Sequence, residues 1–253
     1  MSKMSDYPGT QTYNFFMRKF ELLLICSLLI FAGTDLYCYE SFNYESKSLY
    51  LERQDTLEKQ ILFNGRVWRN LYHHVREDQY LFTNKFLPGT VTFNDKLFKN
   101  ISIRYDIYND EILTTTDHGI ILQLNKEMVD KFTMEYENKT YLFQKLETDS
   151  LNVLIGYVNV LNGGRASLFV KYKKEILILA VENKYDTFHQ LHRIYIRKDG
   201  IAHPINSRKE LIGLLSDKKQ QIKNFIKSNK IHLSKKIPES YVPVVEFYNT
   251  SGY

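Results

Sequence analysis

The chain has 253 residues, 43% hydrophobic and 14% aromatic, enough for one domain of about 200 residues or two small ones once an export segment is set aside. Tyr and Phe (19 and 16) outnumber Gly and Pro (11 and 5), which excludes a disordered or low-complexity chain and favours strands. The formal net charge of +5 is uneven: residues 207–236 hold nine Lys/Arg against Glu210 and Asp217, so one segment is basic and the rest of the mature chain is mildly acidic.

Residues 22–32 are the longest apolar run, 11 residues against the ~20 of a bilayer span. Arg18 and Lys19 precede the run and Asp35 ends it, the pattern of a secretory signal peptide, with an uncleaved signal anchor and a plain core helix as the alternatives. Met17 opens this pattern, so residues 1–38 read as an N-terminal extension plus signal peptide. Tyr37 before Cys38 does not suit lipid attachment. The only cysteines, Cys26 and Cys38, lie in or beside the export segment, so the mature domain is expected to have no disulfide, thiol nucleophile or Cys-bearing zinc site.

Residues 41–60 are polar and show no clean period. Residues 61–68 contain Asn64-Gly65, a strong hairpin signal, and the single Trp68 reads as a core-edge anchor. Tyr80-Leu81-Phe82 suggests a short strand, and Pro88-Gly89 a turn. Residues 90–146 then read as an antiparallel meander. Residues 91–93 and 96–98 flank the turn Asn94-Asp95. Residues 101–107 alternate, with Ile101, Ile103, Tyr105 and Ile107 on one face. Turns follow at Asn109-Asp110 and at Asp117-His118-Gly119, and residues 131–136 pair with 140–146 across 137–139. Links this short permit antiparallel neighbours and no parallel crossover.

Further on, residues 153–161 and 165–173 form a hairpin around Asn162-Gly163-Gly164, residues 175–181 suggest another short strand, and residues 191–197 and 201–205 form a last hairpin around Lys198-Asp199-Gly200. Ser207 and Glu210 match a capping box. Leu211, Leu214, Leu215, Ile222, Phe225 and Ile226 then recur at helical spacing with Lys218, Lys219, Lys223 and Lys227 around them, predicting one long or two short amphipathic helices over residues 208–229. Pro238 and Pro243 suggest an extended tail, with residues 244–248 as a final strand.

Candidate chemistry is sparse. His189 and His192 are three apart, which on a strand puts them on opposite faces and prevents shared chelation of a metal; His73 and His74 diverge for a similar reason. Asp106, Asp110, Glu111 and Asp117 cluster at turns, where Asx side chains cap the backbone. No nucleophile elbow, zinc helix, Walker or Rossmann glycine pattern occurs. The Lys-rich helix reads as a solvated face, with contact to a membrane surface or a partner as the alternative. It interleaves no aromatic stacking platform, which argues against nucleic acid. Asn100, Asn138 and Asn249 match glycosylation acceptor patterns.

Several stretches together (Asn64-Gly65-Arg66-Val67-Trp68, Phe86-Leu87-Pro88-Gly89-Thr90-Val91, residues 104–111, Leu124-Asn125-Lys126-Glu127 and Pro238-Glu239-Ser240) resemble a group of exported proteins of unknown function from Bacteroidota. The resemblance covers roughly residues 60–250. It implies an envelope or secreted location in a Gram-negative host and carries no catalytic residues.

The sequence therefore predicts a mainly β (α+β) fold: an antiparallel meander forming a curved sheet or partly open barrel over residues 39–206, with one or two C-terminal amphipathic helices in residues 207–253 packed on the same domain. Strands of six or seven residues would be too short for a membrane barrel. The functional expectation is a non-enzymatic binding or assembly module of the envelope. The alternatives are a carrier whose Ile101, Ile103, Tyr105 and Ile107 face an apolar ligand or lipid, and a hydrolase built on the carboxylates or on His189 and His192. No catalytic, cofactor or metal residue is assigned. The expected partner is an envelope protein or an apolar ligand and not nucleic acid, with the Lys-rich helix available to a membrane surface.

Overall fold

The computed structural model describes residues 60–146, 154–178 and 185–251. The expected signal segment, both cysteines and residues 41–59 of the polar stretch lie outside the described residues. In chain order the strands are β1 (Arg66–Val67), β2 (Leu87–Phe93), β3 (Lys96–Asp106), β4 (Glu111–Thr115), β5 (Ile121–Gln123), β6 (Val129–Tyr136), β7 (Lys139–Lys145), β8 (Tyr157–Asn162), β9 (Ala166–Leu177), β10 (Thr187–Lys198) and β11 (Ile201–Ile205). Helices α1 (Arg208–Leu214), α2 (Lys219–Ser228) and α3 (Val242–Thr250) follow. All strand pairs are antiparallel in one 11-stranded open sheet, so the fold is mainly β with C-terminal helices, as predicted.

Turn chemistry sets most registers. Asn94 and Asp95 (φ 49° and 62°) join β2 to β3, and Glu137 and Asn138 (φ 48° and 59°) join β6 to β7; the left-handed backbone at both central positions matches the twist of the strands. Gly164 and the pair Asp199-Gly200 take positive φ in the later hairpins.

The strand order, β1-β5-β4-β3-β2-β6-β7-β8-β9-β10-β11, departs from a sequential meander at two points, β1 beside β5 and β6 beside β2. The chain runs outward from β2 to β5, returns through a single 3-10 turn at Lys126–Met128, and lays β6 on the free side of β2. So short a link can do this because the sheet curls: the Lys174 amide on β9 donates to the Ile107 carbonyl just past β3, 3.4 Å away, although four strands separate β3 from β9 in the order.

Three apolar clusters hold the fold. The inside of the curl is filled by aromatic rings. Tyr105 meets Phe132 and Phe143 with centroids 5.2 Å away, and Phe132 stacks on Phe143 at 4.9 Å and touches Tyr157 edge-on at 5.1 Å. Ile101, Ile103 and Ile107 are buried in the same cluster, so the face proposed to line a ligand cavity is occupied by side chains. A second cluster packs Leu211, Ile222, Ile226, Val244, Val245 and Tyr248 of the helices onto Leu168, Ile194 and Ile196. A third, with Phe169 and Tyr195, covers the opposite side of β9 and β10. Each large apolar side chain buried in this way contributes about 1.5–3 kcal/mol by transfer alone.

Several local expectations need correction. Asn64-Gly65 is not a hairpin turn: residues 60–62 are helical, and the chain passes so close to β5 that a Cβ on Gly65 would overlap the Gln123 carbonyl. Tyr80-Leu81-Phe82 makes only a bridge from Tyr80 to Asp106, because Phe82 turns left-handed at φ 65°. Pro88-Gly89 lies inside β2. Pro88 sits beyond the last residue paired with β6, where a missing N–H is tolerated, and Gly89 lets the Thr133 carbonyl approach. Residues 96–98 and 101–107 belong largely to one strand of 11 residues, which continues past Asn100 (φ 55°) to Asp106. Residues 175–177 extend β9 instead of starting a new strand.

The proposed tail strand is helical: Pro238 opens a 3-10 turn and Pro243 sits in the first turn of α3, where proline costs no hydrogen bond. β3, β9 and β10, at 11, 12 and 12 residues, exceed the predicted strand length, so length does not argue against a membrane barrel for them. At Ile194, Tyr195 and Ile196 both faces of β10 are nevertheless covered by the protein itself.

Candidate functional site

A small cavity lies at the β1 edge of the sheet. Among the described residues β1 pairs only with β5, and the Trp68 amide donates to the Ile121 carbonyl (2.9 Å) before the chain leaves the ladder. Residues 68–80 then cross irregularly over the end of β3. Tyr72 is pinned there edge-on to Tyr108 (5.0 Å) and Phe188 (5.8 Å), with its hydroxyl 3.3 Å from Asn109 Oδ1. The result is a cavity of about 310 Å³ walled by Trp68 and Tyr72, floored by Gln79 and Asn109, and rimmed by Arg66 and Glu111. Val67 and Leu71 stand at its mouth, 62% and 68% exposed.

The surrounding electrostatics are organised by Asp106, Glu111, Arg66 and Arg104. Asp106 has no exposed surface and accepts hydrogen bonds from the Tyr108 amide (3.0 Å), the Asn109 amide (2.9 Å) and Asn109 Nδ2 (2.8 Å). Burial raises its carboxyl above the ordinary range, and those donors offset part of the rise. Burial, with the Asp106 charge added, also raises Glu111, and Arg66 Nη2 at 3.3 Å pulls it back. Arg66 Nε is held by Gln123 Oε1 at 2.6 Å. Beneath Trp68, the Arg104 guanidinium is enclosed by the rings of Tyr80 (4.1 Å), Phe86 (4.5 Å) and Trp68 (5.3 Å), and Nη1 donates to the Asn84 carbonyl (2.9 Å). Burial lowers the Arg104 pKa and pushes Tyr80 up to about 12. Arg104 thus fixes the wall of the cavity from behind.

A second polar centre lies at the mouth of the curl. Asp110 accepts from the Tyr105 hydroxyl (2.5 Å), Lys126 Nζ (2.5 Å), Lys171 Nζ (3.1 Å) and the Tyr157 amide (3.4 Å). Burial alone would raise its carboxyl, but Lys171, together with the hydrogen bonds from Lys126 and Tyr105, holds it below the usual aspartate range. Burial pushes Tyr105 well up and lowers Lys171, which Asp110 partly restores. Both carboxylate oxygens accept from partners within the fold, so the group ties the β3–β4 turn, the 3-10 turn, β8 and β9 together.

Of the residues singled out in the sequence, Asp106 and Glu111 are register partners on β3 and β4, with Glu111 at the rim of the edge cavity, and the rest are dispersed. His189 is exposed opposite Glu175, whereas His192, opposite Tyr172, meets the Lys235 carbonyl at 2.7 Å. His73 and His74 are exposed and meet edge-on at 5.5 Å. Asp117 is exposed at its turn. Among the described residues no group of three or more His, Cys, Asp or Glu side chains is placed to hold a metal ion. Asn249 is engaged by its hydrogen bonds: Oδ1 accepts from the Ala166 amide (2.8 Å), and Nδ2 donates to Asn162 Oδ1 (3.0 Å), the Gly163 carbonyl (3.2 Å) and the Ala166 carbonyl (2.9 Å). Tyr72, Gln79, Arg104 and Asn109 were not singled out as site residues. Their one signal is that Arg104 and Asp106 lie between buried positions of β3, which requires a second layer over that face.

Comparison with protein-family models, with curated proteins and with solved structures finds no match to this chain.

Proposed function

We propose that the chain is an exported envelope protein that acts as a non-enzymatic binding or assembly module, with the β1-edge cavity as its contact site. The observation that carries the reading is the composition of that cavity: a rigidly backed Trp68 and Tyr72, flanked by arginines, under the exposed side chains of Val67 and Leu71. Trp, Tyr and Arg dominate binding hot spots because each buries a large surface while offering a polar group, and a preorganised aromatic wall loses little entropy on docking. Among the described residues β1 is the last strand on its side of the sheet, an edge that a partner segment can join.

Export is supported by the basic residues, short apolar run and polar exit over residues 18–35. Asp106 and Asp110 are held by internal donors, and Glu111, the carboxylate at the cavity rim, is paired with Arg66, which favours binding over hydrolysis. The carrier alternative needs a lined cavity where Ile101, Ile103 and Tyr105 are packed against rings.

The test is native mass spectrometry of the protein recovered from its host envelope, for wild type and Leu71→Asp. Leu71 is exposed, so the variant folds. A partner protein retained by wild type and lost by L71D supports the module. A lipid-sized mass bound equally to both restores the carrier, and turnover of an envelope substrate by the bare chain overturns the non-enzymatic reading.

A further inference from the structure

The basic segment contains a site that the edge cavity does not explain. Arg208 and Lys209 of α1 and Lys219, Lys223 and Lys227 of α2 line one groove of about 1030 Å³ between the two helices, with Ile212 and Gly213 also lining it. A Cβ on Gly213 would have nothing within 4 Å, so the groove is open on that side. The segment's carboxylates are engaged elsewhere. Glu210 accepts from the Asn206 amide (2.8 Å) and the Ser207 hydroxyl (3.1 Å), and Asp217 is held by Lys198 (2.9 Å), Arg165 (3.1 Å) and the Tyr248 hydroxyl (2.9 Å). Lys218 turns inward to the Tyr248 carbonyl (3.2 Å). None of the five groove cations makes an ion pair or side-chain hydrogen bond with another described residue.

Lys219, Lys223 and Lys227 stand four apart on α2, an arrangement of like charges that opposes the helix until an anion lies across them. Four of the five cations are lysines, point charges on flexible stems, which suit several phosphates in variable positions better than one planar group. Phe225 is stacked on Phe247 at 4.2 Å and is not offered to a base, so the groove lacks the stacking platform of a single-strand nucleic-acid site.

The inner faces of both helices are buried on the sheet, which leaves the groove facing outward over an apolar lining of Ile212 and lysine stems. We propose that the α1–α2 groove docks on an anionic lipid surface by taking phosphate-bearing head groups between the helices. The site does not depend on the edge cavity having a partner.

The experiment is vesicle co-sedimentation of the chain as recovered from its host. It compares phosphatidylcholine vesicles with phosphatidylcholine–phosphatidylglycerol vesicles, at low and high salt. Wild type is expected to bind only the anionic vesicles and to be released by salt. The triple variant Lys219→Gln, Lys223→Gln, Lys227→Gln should lose affinity roughly a hundredfold at low salt, from about one factor of five per lysine. The control triple Lys99→Gln, Lys131→Gln, Lys139→Gln removes the same charge from exposed sheet positions and should change little.

Equal losses in the two triples, or equal binding to neutral vesicles, would overturn the groove as the site. Displacement from vesicles by inorganic phosphate at low salt, where chloride at matched ionic strength has no effect, would assign the groove to free phosphate. Tighter binding to single-stranded RNA than to anionic vesicles, lost in the α2 triple alone, would overturn the lipid surface in favour of nucleic acid.

Discussion

Gly156 stands directly against the carboxylate of Asp110. At φ 81° it takes a left-handed backbone, and a Cβ there would overlap Oδ2 and sit 3.1 Å from Lys171 Nζ. The glycine is therefore needed both for conformation and for space. Gly156→Ala is expected to destabilise the fold by about 3 kcal/mol, of which the left-handed backbone accounts for roughly 1 kcal/mol, read as a lowered urea midpoint. Asp110→Asn leaves Lys171 and Lys126 crowded without their counter-charge and should cost about 3 kcal/mol in the same measurement.

The same carboxylate sets an acid limit. Its folded pKa is depressed, so its contribution is fully present above the unfolded aspartate value of about 3.9 and drains away as pH falls through the folded value. The gap in unfolding free energy between wild type and D110N should accordingly narrow below pH ~4. Glu111 behaves with the opposite sign. Its folded pKa is raised, so its contribution is present below the unfolded value and lost as pH rises through the folded one. Relative to wild type, Glu111→Gln should therefore be more favourable at neutral pH than in acid. Urea titrations at a series of pH values check both signs.

Asn249 clamps α3 to the β8–β9 turn through both ends of its amide. A Cβ on Gly164 (φ 137°) would approach Asn249 Nδ2 to 2.6 Å, so the turn is shaped around that side chain. Asn249→Ala is expected to cost about 2–3 kcal/mol, since the Ala166 amide and carbonyl each lose a partner away from bulk water. Hydrogen exchange at the Ala166 amide should accelerate more than exchange along the centre of β9.

Arg104 lies behind the chain's single tryptophan, which supplies its own readout. Arg104→Lys keeps the charge but replaces a planar group enclosed by three rings with a narrow stem. Its expected effect is a loss of about 1–2 kcal/mol and a red shift of Trp68 emission as water reaches the cavity wall.

Local chemistry was legible from the sequence and layering was not. Asn94-Asp95, Glu137-Asn138 and Lys198-Asp199-Gly200 each declare a hairpin within a few residues, and Ser207 with Glu210 declares the start of α1; in the structure Glu210 reaches past Ser207 to the Asn206 amide. The alternation of residues 101–107 marks one apolar face, and nothing local announces that residues 68–86 will also cover Arg104 and Asp106 on the other. Gly65 and Gly89 suggest turns in the sequence, yet each serves a close backbone approach, a distinction invisible until the neighbouring strand is known. The edge cavity escaped for a related reason: Trp68, Gln79, Asn109 and Glu111 come from separate segments and meet only through the curl.

The place of β2 also bears on the order in which the molecule can assemble. Its pairing with β3 is local, but its pairing with β6 joins Gly89 to Met134 and Thr90 to Thr133, whose hydroxyls meet at 2.9 Å. β3, β4 and β5 lie between the two partners in the chain, so this ladder carries a larger loop-closure entropy than the β2–β3 hairpin. Until it zips, β2 is a bare edge in the middle of the future sheet, and any other extended segment of suitable register can occupy it. The two halves of the protein thus share one late seam, and crowding during synthesis threatens that seam more than either half.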